Sequence, residues 1–301
     1  MLMIPAKTIL SPQTDSSYFG HDFRMNLYKG CSHGCIYCDS RSSCYQIENF
    51  DEVRAKEKAI SILEKELRSK TKTGVIGTGS MSDPYNPYEE KYQLTRQALE
   101  LIDTYHFGIA IATKSSLITR DIDLLTRINK HSPVLCKITI TTSEDSLSRL
   151  IEPTVNPSSD RFLAIKQLSE AGLYTGILLT PVLPFLTDTE ENIRNLVRQA
   201  YDNGAKFIFA LFGMTLRSGQ REYYYSKLKE YFPGSDLLQR YVSRYGDSYL
   251  CNSPQAKRLI ALFQSECERY GILYEMQDII DSYRRGYEYE QLSLFGNSSL
   301  I

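Results

Sequence analysis

Several features are missing from this chain, and each absence narrows what it does. There is no excess of positive charge. Formal net charge is -1 over 301 residues, so no overall basic field marks a nucleic-acid binder, although a local groove can be basic on a neutral protein. No apolar run approaches the ~18 residues of a membrane-spanning helix, so we expect no membrane span. The opening residues MLMIPAKTILSPQTDSS carry no charged segment followed by a long apolar block, so we expect no secretory signal and a cytoplasmic protein. No self-similarity recurs at a solenoid period. Cysteine is sparse and odd in number, seven in all. That argues against a disulfide framework and for metal or catalytic use where thiols cluster.

What is present is a chain with 42% hydrophobic residues, enough for a substantial core. Short apolar runs rich in Ile, Val and Thr alternate with longer helical patterns. The runs FRMNLY (23–28), GVIGTG (74–79), GIAIAT (108–113), CKITIT (136–141), YTGILLT (174–180) and KFIFALF (206–212) predict strands. Helices are predicted near 50–69, 94–106, 119–129, 158–171 and 188–203. Thr119 with Asp121 is expected to open the third of these and Asp188 to cap the fifth. Ala171-Gly172 and Asn203-Gly204 read as C-terminal stops.

Strand and helix in repeated alternation predict an α/β fold: a partial (β/α)6 barrel with parallel strands and a C-terminal helical extension. We divide the chain into an N-terminal extension (1–21), a core (22–215), a C-terminal extension packed on the core (216–289) and a tail (290–301). Helices are expected near 220–231 and 254–270. Twelve of the 22 tyrosines lie between Tyr223 and Tyr289, and we read them as packing residues with a polar edge. Active sites of such folds lie at the C-terminal strand ends. The first of these ends leads into KGCSHGCIYCDSR (29–41).

That stretch spaces Cys31, Cys35 and Cys38 as C-x3-C-x2-C. Structural zinc wants four ligands, usually in two separated pairs. His33 sits awkwardly inside the loop, and Cys44 completes no zinc spacing. A [4Fe-4S] cluster takes one cysteine per iron, so three leave one iron open. An open position is what metal catalysis requires.

The motif, with Tyr37 before its last cysteine and a β/α repeat behind it, resembles the radical S-adenosylmethionine (SAM) enzymes over roughly 20–215. The resemblance implies that Cys31, Cys35 and Cys38 each hold one iron of a [4Fe-4S] cluster. It implies that the fourth iron chelates SAM, and that one electron splits SAM into methionine and a 5′-deoxyadenosyl radical. It also implies an electron donor such as flavodoxin or ferredoxin. The segments GTGSMSDPYNPYE (77–89), ATKS (112–115), IEP (151–153), SSDRFLAI (158–165), TPVLP (180–184) and RYGDSYLCNSPQAKRL (244–259) resemble the spore photoproduct lyase-like branch. DNA or a modified nucleic acid is then the implied substrate, in a lyase-like reaction of DNA repair.

By this resemblance Lys114 meets the SAM carboxylate, Ser82 and Asp83 lie near its amino group, and Thr141 adds a hydroxyl. Tyr37 and Lys114 are the catalytic candidates. Glu152 and Arg161 pair beside the site. Two departures stand out: Ser80 occupies the place of the hydrogen-returning cysteine, and Asp39 that of a second tyrosine beside the last cluster ligand. Serine is a poor hydrogen-atom donor, so Cys44 or Cys136 would have to replace that thiol. In the tail, Gln291, Leu292, Ser293, Leu294 and Phe295 resemble the peptide by which bacterial DNA enzymes dock on the sliding clamp. Another expectation is a non-catalytic iron–sulfur or zinc protein brought to DNA by that peptide.

Overall fold

The computed structural model describes residues 2–79 and 81–289. Seven strands form the main sheet: β1 (Leu10–Pro12), β2 (Phe23–Met25), β3 (Val75–Thr78), β4 (Gly108–Thr113), β5 (Val134–Thr139), β6 (Tyr174–Leu179) and β7 (Phe207–Ala210). They lie side by side in chain order. β1 is antiparallel to β2, and every later neighbour is parallel. The fold is therefore α/β with a mostly parallel sheet, as expected. Among the described residues the outer strands β1 and β7 do not pair with each other, so the sheet is open.

The chain returns between parallel strands through α1 (Ala59–Arg68), α2 (Leu94–Thr104), α3 (Ile122–Ile128), α4 (Ser158–Glu170) and α5 (Glu190–Asp202), with shorter helical turns over Glu89–Tyr92 and Asp145–Ile151. In α5, Ile193, Leu196, Val197 and Ala200 are buried at helical spacing. Its cap is Thr189, whose hydroxyl accepts from the Asn192 amide at 3.1 Å. Asp188 instead accepts from the Ser253 hydroxyl at 2.6 Å. Asp121 does hold the N-cap position of α3, but its carboxylate makes no capping bond. It is buried against Arg96 and Arg120, at the end of a 3-10 turn over Ser116–Asp121. The long helix expected near 50–69 shortens to α1, because Arg54–Lys56 pairs as a strand with Leu2–Ile4 and Tyr28–Lys29. Helices α4 and α5 do stop at the expected Ala171-Gly172 and Asn203-Gly204.

Side-chain alternation divides the core. Ile76, Ile109, Ile111, Ile138, Ile177 and Ile208 face the helices in one cluster. Val75, Ala110, Leu135, Leu178 and Phe207, of opposite parity, face inward with Phe19, Ile279 and Tyr283. Each buried isoleucine contributes roughly 1.5–3 kcal/mol. A third cluster joins Cys35, Ile36 and Tyr37 to Met214, Leu216, Tyr224, Leu228, Tyr241 and Tyr245. The last four belong to α6 (Gln220–Tyr231) and α7 (Leu237–Tyr245), with Leu216 just before them for the fifth. Helices α8 (Ala256–Tyr270) and α9 (Met276–Tyr283) follow. The tyrosines here pack and bond: Tyr224 Oη is 2.9 Å from Tyr241 Oη, which donates to the Pro184 carbonyl at 2.8 Å.

Candidate functional site

The cysteine loop begins at Gly30, whose φ is +80°. A Cβ there would meet the carbonyl oxygens of Phe50 and Glu52 at 2.7 Å, so only glycine admits this turn. The Cys31 amide then donates to the Phe50 carbonyl at 2.9 Å, and the Ile36 amide to Ile151 at 3.0 Å. The Thr154 hydroxyl donates to the Ser32 carbonyl at 2.5 Å. On the far side, Gln220 Nε2 donates to the Tyr37 carbonyl at 3.0 Å. Two backbone and two side-chain hydrogen bonds to the loop's main chain thus fix where the three thiols sit.

Cys31, Cys35 and Cys38 line one cavity of about 510 Å³ at the C-terminal ends of the strands. Tyr37, Ser82, Asp83 and Lys114 line it too. Thr141 does not. The strand ends at Thr139, which takes the lining position, while Thr141 is buried with its Oγ1 unpartnered among the described residues.

The polar groups divide by what they touch. Asp83 is a clasp: its carboxylate accepts from Thr113 Oγ1 at 2.6 Å, the Tyr85 amide at 2.8 Å and the Lys114 amide at 2.8 Å. His33 Nε2 is 3.4 Å away. Burial alone would raise its pKa, but His33 and these donors hold it down at about 2. Ser82 Oγ donates to the Gly30 carbonyl at 2.6 Å. Tyr37 donates to Glu152 Oε1, and Glu152 Oε2 pairs with Arg161 at 2.5 Å, both side chains fully buried. Arg161 also donates to the Thr139 carbonyl at 2.7 Å and to Ser148 Oγ at 2.6 Å. Glu152 and Arg161 are therefore the pillar behind Tyr37.

Lys114 is different. Its ammonium lies 5.7 Å over the Tyr37 ring. Burial opposes its charge, yet Cys35, Glu152, Cys38 and Asp83 outweigh burial and raise its pKa. Burial pushes the Cys31 thiol up to about 12, with Asp83 adding to it. The Cys35 and Cys38 thiols are also raised by burial, against the pull of Lys114. The donor set fits an iron–sulfur cluster: three soft sulfurs around one hollow, with a cation beside two of them. Among the described residues no three of His, Cys, Asp or Glu close round a point as ligands of a single ion would.

Asp39 lines the cavity and accepts from Thr215 Oγ1 and Tyr45 Oη, both at 2.9 Å. It lashes the loop to the C-terminal part of the chain. Cys44 is exposed, 3.0 Å from Arg217, and Cys136 packs among the outer isoleucines. Neither lines the cavity. Ser80 and the 291–295 peptide lie outside the described residues. Sequence reasoning missed Lys137 and His21, both of which line the cavity. Their signal was a lysine of inward parity in an otherwise apolar strand and a lone histidine before β2.

Residues 25–213 match the family model described as Radical SAM superfamily. An uncharacterised protein of Mycobacterium tuberculosis (strain ATCC 25618 / H37Rv) is 27% identical over 246 residues, 79% of this chain and 72% of its own length. One of Methanocaldococcus jannaschii is 32% identical over 193 residues, 63% of this chain and 70% of its own. Among solved structures, a spore photoproduct lyase mutant with bound AdoMet and dinucleoside spore photoproduct matches with a TM-score of 0.66. It is 14% identical and is covered over 91% of this chain and 81% of its own, a likeness of fold. No helix of the described residues is long and apolar enough to cross a membrane.

Proposed function

This chain belongs to the radical SAM superfamily, and we propose that it abstracts a hydrogen atom from a nucleic-acid substrate, with Cys31, Cys35 and Cys38 holding a [4Fe-4S] cluster. When bound, the cluster supplies the electron that splits SAM into methionine and a 5′-deoxyadenosyl radical. The observation that carries the reading is one shared cavity: three thiols and the Lys114 ammonium line it together.

The roles follow from contacts. Lys114 offers a fixed cation for the SAM carboxylate, in a setting that keeps it charged. Of the two expected hydroxyls, Thr141's lies outside the cavity and Ser82's is engaged. We assign Ser82 to holding the loop and give Thr141 no contact with SAM. Asp83 orients the Lys114 backbone rather than accepting from SAM. Tyr37, pinned by Glu152, forms an apolar wall that helps exclude water. The nucleic-acid substrate is supported by the lyase neighbour, which carries a dinucleoside spore photoproduct. Among the described residues the lining cysteines are those of the motif, so we propose that the substrate radical ends without hydrogen return from a further thiol. A flavodoxin or ferredoxin is proposed as reductant, and the 291–295 peptide as a clamp-docking segment.

The test is anaerobic reconstitution of the full chain. About four irons per chain and 5′-deoxyadenosine formed from SAM under strong reductant are expected. Zinc without iron, or a cluster that forms no 5′-deoxyadenosine, would refute the reading.

A further inference from the structure

The chemistry above leaves one buried charge unused. Lys137 lies in β5, is 2% exposed and lines the cavity. It shares the parity of Leu135 and Thr139, so its side chain enters the interior. Its register partners are Ala112 on β4, which lines the cavity, and Gly176 on β6, where the Phe207 ring fills the place a Cβ would take. Lys114, which meets the cysteines, stands two residues further along β4 than Ala112. Lys137 is therefore roughly 7 Å deeper, at about 3.3 Å per strand residue.

Among the described residues no carboxylate pairs with Lys137. Its ammonium faces rings instead, 4.4 Å from the Phe19 centroid and 5.9 Å from that of Tyr18. Rings attract a cation without neutralising it. Beside it stands His21, 7% exposed, with Nδ1 buried and unpartnered among the described residues. The His21 ring fills the space where a Cβ on Gly77 would come within 2.5 Å. The titratable and charged groups around this end are Tyr18, His21, Asp22 and Arg24 from the N-terminal segment, Lys114 after β4, Cys136 from the same strand, Tyr174 from β6, and Tyr283 and Arg284 at the end of α9. Asp22 is occupied with the Val75 amide, Arg284 and Tyr289.

Resting on the function proposed above, we propose that Lys137, with His21, receives an oxyanion of the substrate at the inner end of the cavity, either a phosphodiester or a carboxylate. An unpaired buried ammonium and an unpartnered imidazole nitrogen, side by side in a hollow walled by glycine and alanine, are complementary to such a group and to nothing else in the chain. Burial pulls Lys137 down to about 7, so at pH 8 an arriving anion restores its proton.

Isothermal titration of the cluster-loaded full chain at pH 8, in two buffers of different ionisation enthalpy, reads this directly. The probes are the thymidine dinucleotide TpT, its uncharged methylphosphonate analogue and thymine-1-acetate. TpT binding with uptake of up to about one proton identifies a phosphodiester, and the same response to thymine-1-acetate identifies a carboxylate. The methylphosphonate is expected to give no uptake. Lys137→Met should weaken the anion roughly ten- to a hundredfold and abolish uptake, whereas Lys137→Arg should bind without uptake. Equal binding by wild type and Lys137→Met, or no anion-linked uptake by wild type, would overturn the proposal. If the Met variant does not fold, the Arg variant carries the same distinction: uptake that persists there also overturns it. A wild-type chain that takes up the anion but makes no 5′-deoxyadenosine would instead sink the function on which the proposal rests.

Discussion

The Ser82 hydroxyl donates to the Gly30 carbonyl at 2.6 Å, and so ties the end of one strand to the turn that delivers Cys31. Ser82→Ala would leave that buried carbonyl without its donor, at a cost of about 1–3 kcal/mol. We expect a lower thermal midpoint and fewer irons per chain after reconstitution, with Ser82→Thr recovering both. Unchanged iron content in the alanine variant would remove Ser82 from the loop's support.

Glu152 and Arg161 form a buried pair, so removing one partner strands the other. Glu152→Gln or Arg161→Met alone should cost about 3–5 kcal/mol in urea unfolding. The double variant should cost less than the sum of the singles, because no charge is left unpaired. Additive losses would show that the two do not act as a unit.

Cys35 is the most enclosed of the three motif thiols. Cys35→Ala should abolish the visible cluster absorbance and 5′-deoxyadenosine formation together, while far-ultraviolet circular dichroism stays near wild type. Turnover that survives loss of the cluster would contradict the assignment.

His21 links stability to pH. Burial, then Lys137 and Arg24, lower its pKa from an ordinary 6.5 to about 4. Between those values the unfolded chain binds the extra proton, so stability should rise with pH across that window and fall as acid is added. His21→Asn should flatten this part of the curve in urea midpoints taken at several pH values. An identical slope in the variant would show that His21 does not contribute.

The tail gives the last prediction. A peptide spanning 286–301 should bind a bacterial sliding clamp, and Leu294→Ala with Phe295→Ala should remove the binding, since the two side chains would be its apolar anchors. No affinity at high micromolar peptide by fluorescence polarisation would end that reading.

Much of the architecture was legible because β-branched runs buried on both faces leave a strong local mark. The strand read as GIAIAT pairs with the one read as CKITIT, which the structure places two residues earlier, over Val134–Thr139. The cysteine spacing was legible for a similar reason, since all three ligands sit on one loop. Contacts between distant segments were not. Ser82 and Asp83 were visible as polar residues at a strand end, but their partners, Gly30 and Lys114, depend on tertiary packing. β5 was read as reaching residue 141, yet it stops at Thr139, and that shift of two residues exchanges which threonine lines the cavity. Lys137 hid inside a strand-like run because parity tells which face a side chain takes, not which face is hollow. Helices α7 and α9 were missed, being short and interrupted by polar connections.

The inner end of the cavity is closed by two segments that lie far apart in sequence. Tyr283 Oη donates to the Phe19 carbonyl at 2.7 Å, across 264 residues, and the Phe19 amide rests 3.1 Å from Met276 Sδ. During synthesis, then, the three cysteines emerge early, into a hollow still open at its base. The inner end of the site is completed only after α9 has left the ribosome, so the part of the hollow farthest from the cysteines is the last to be built.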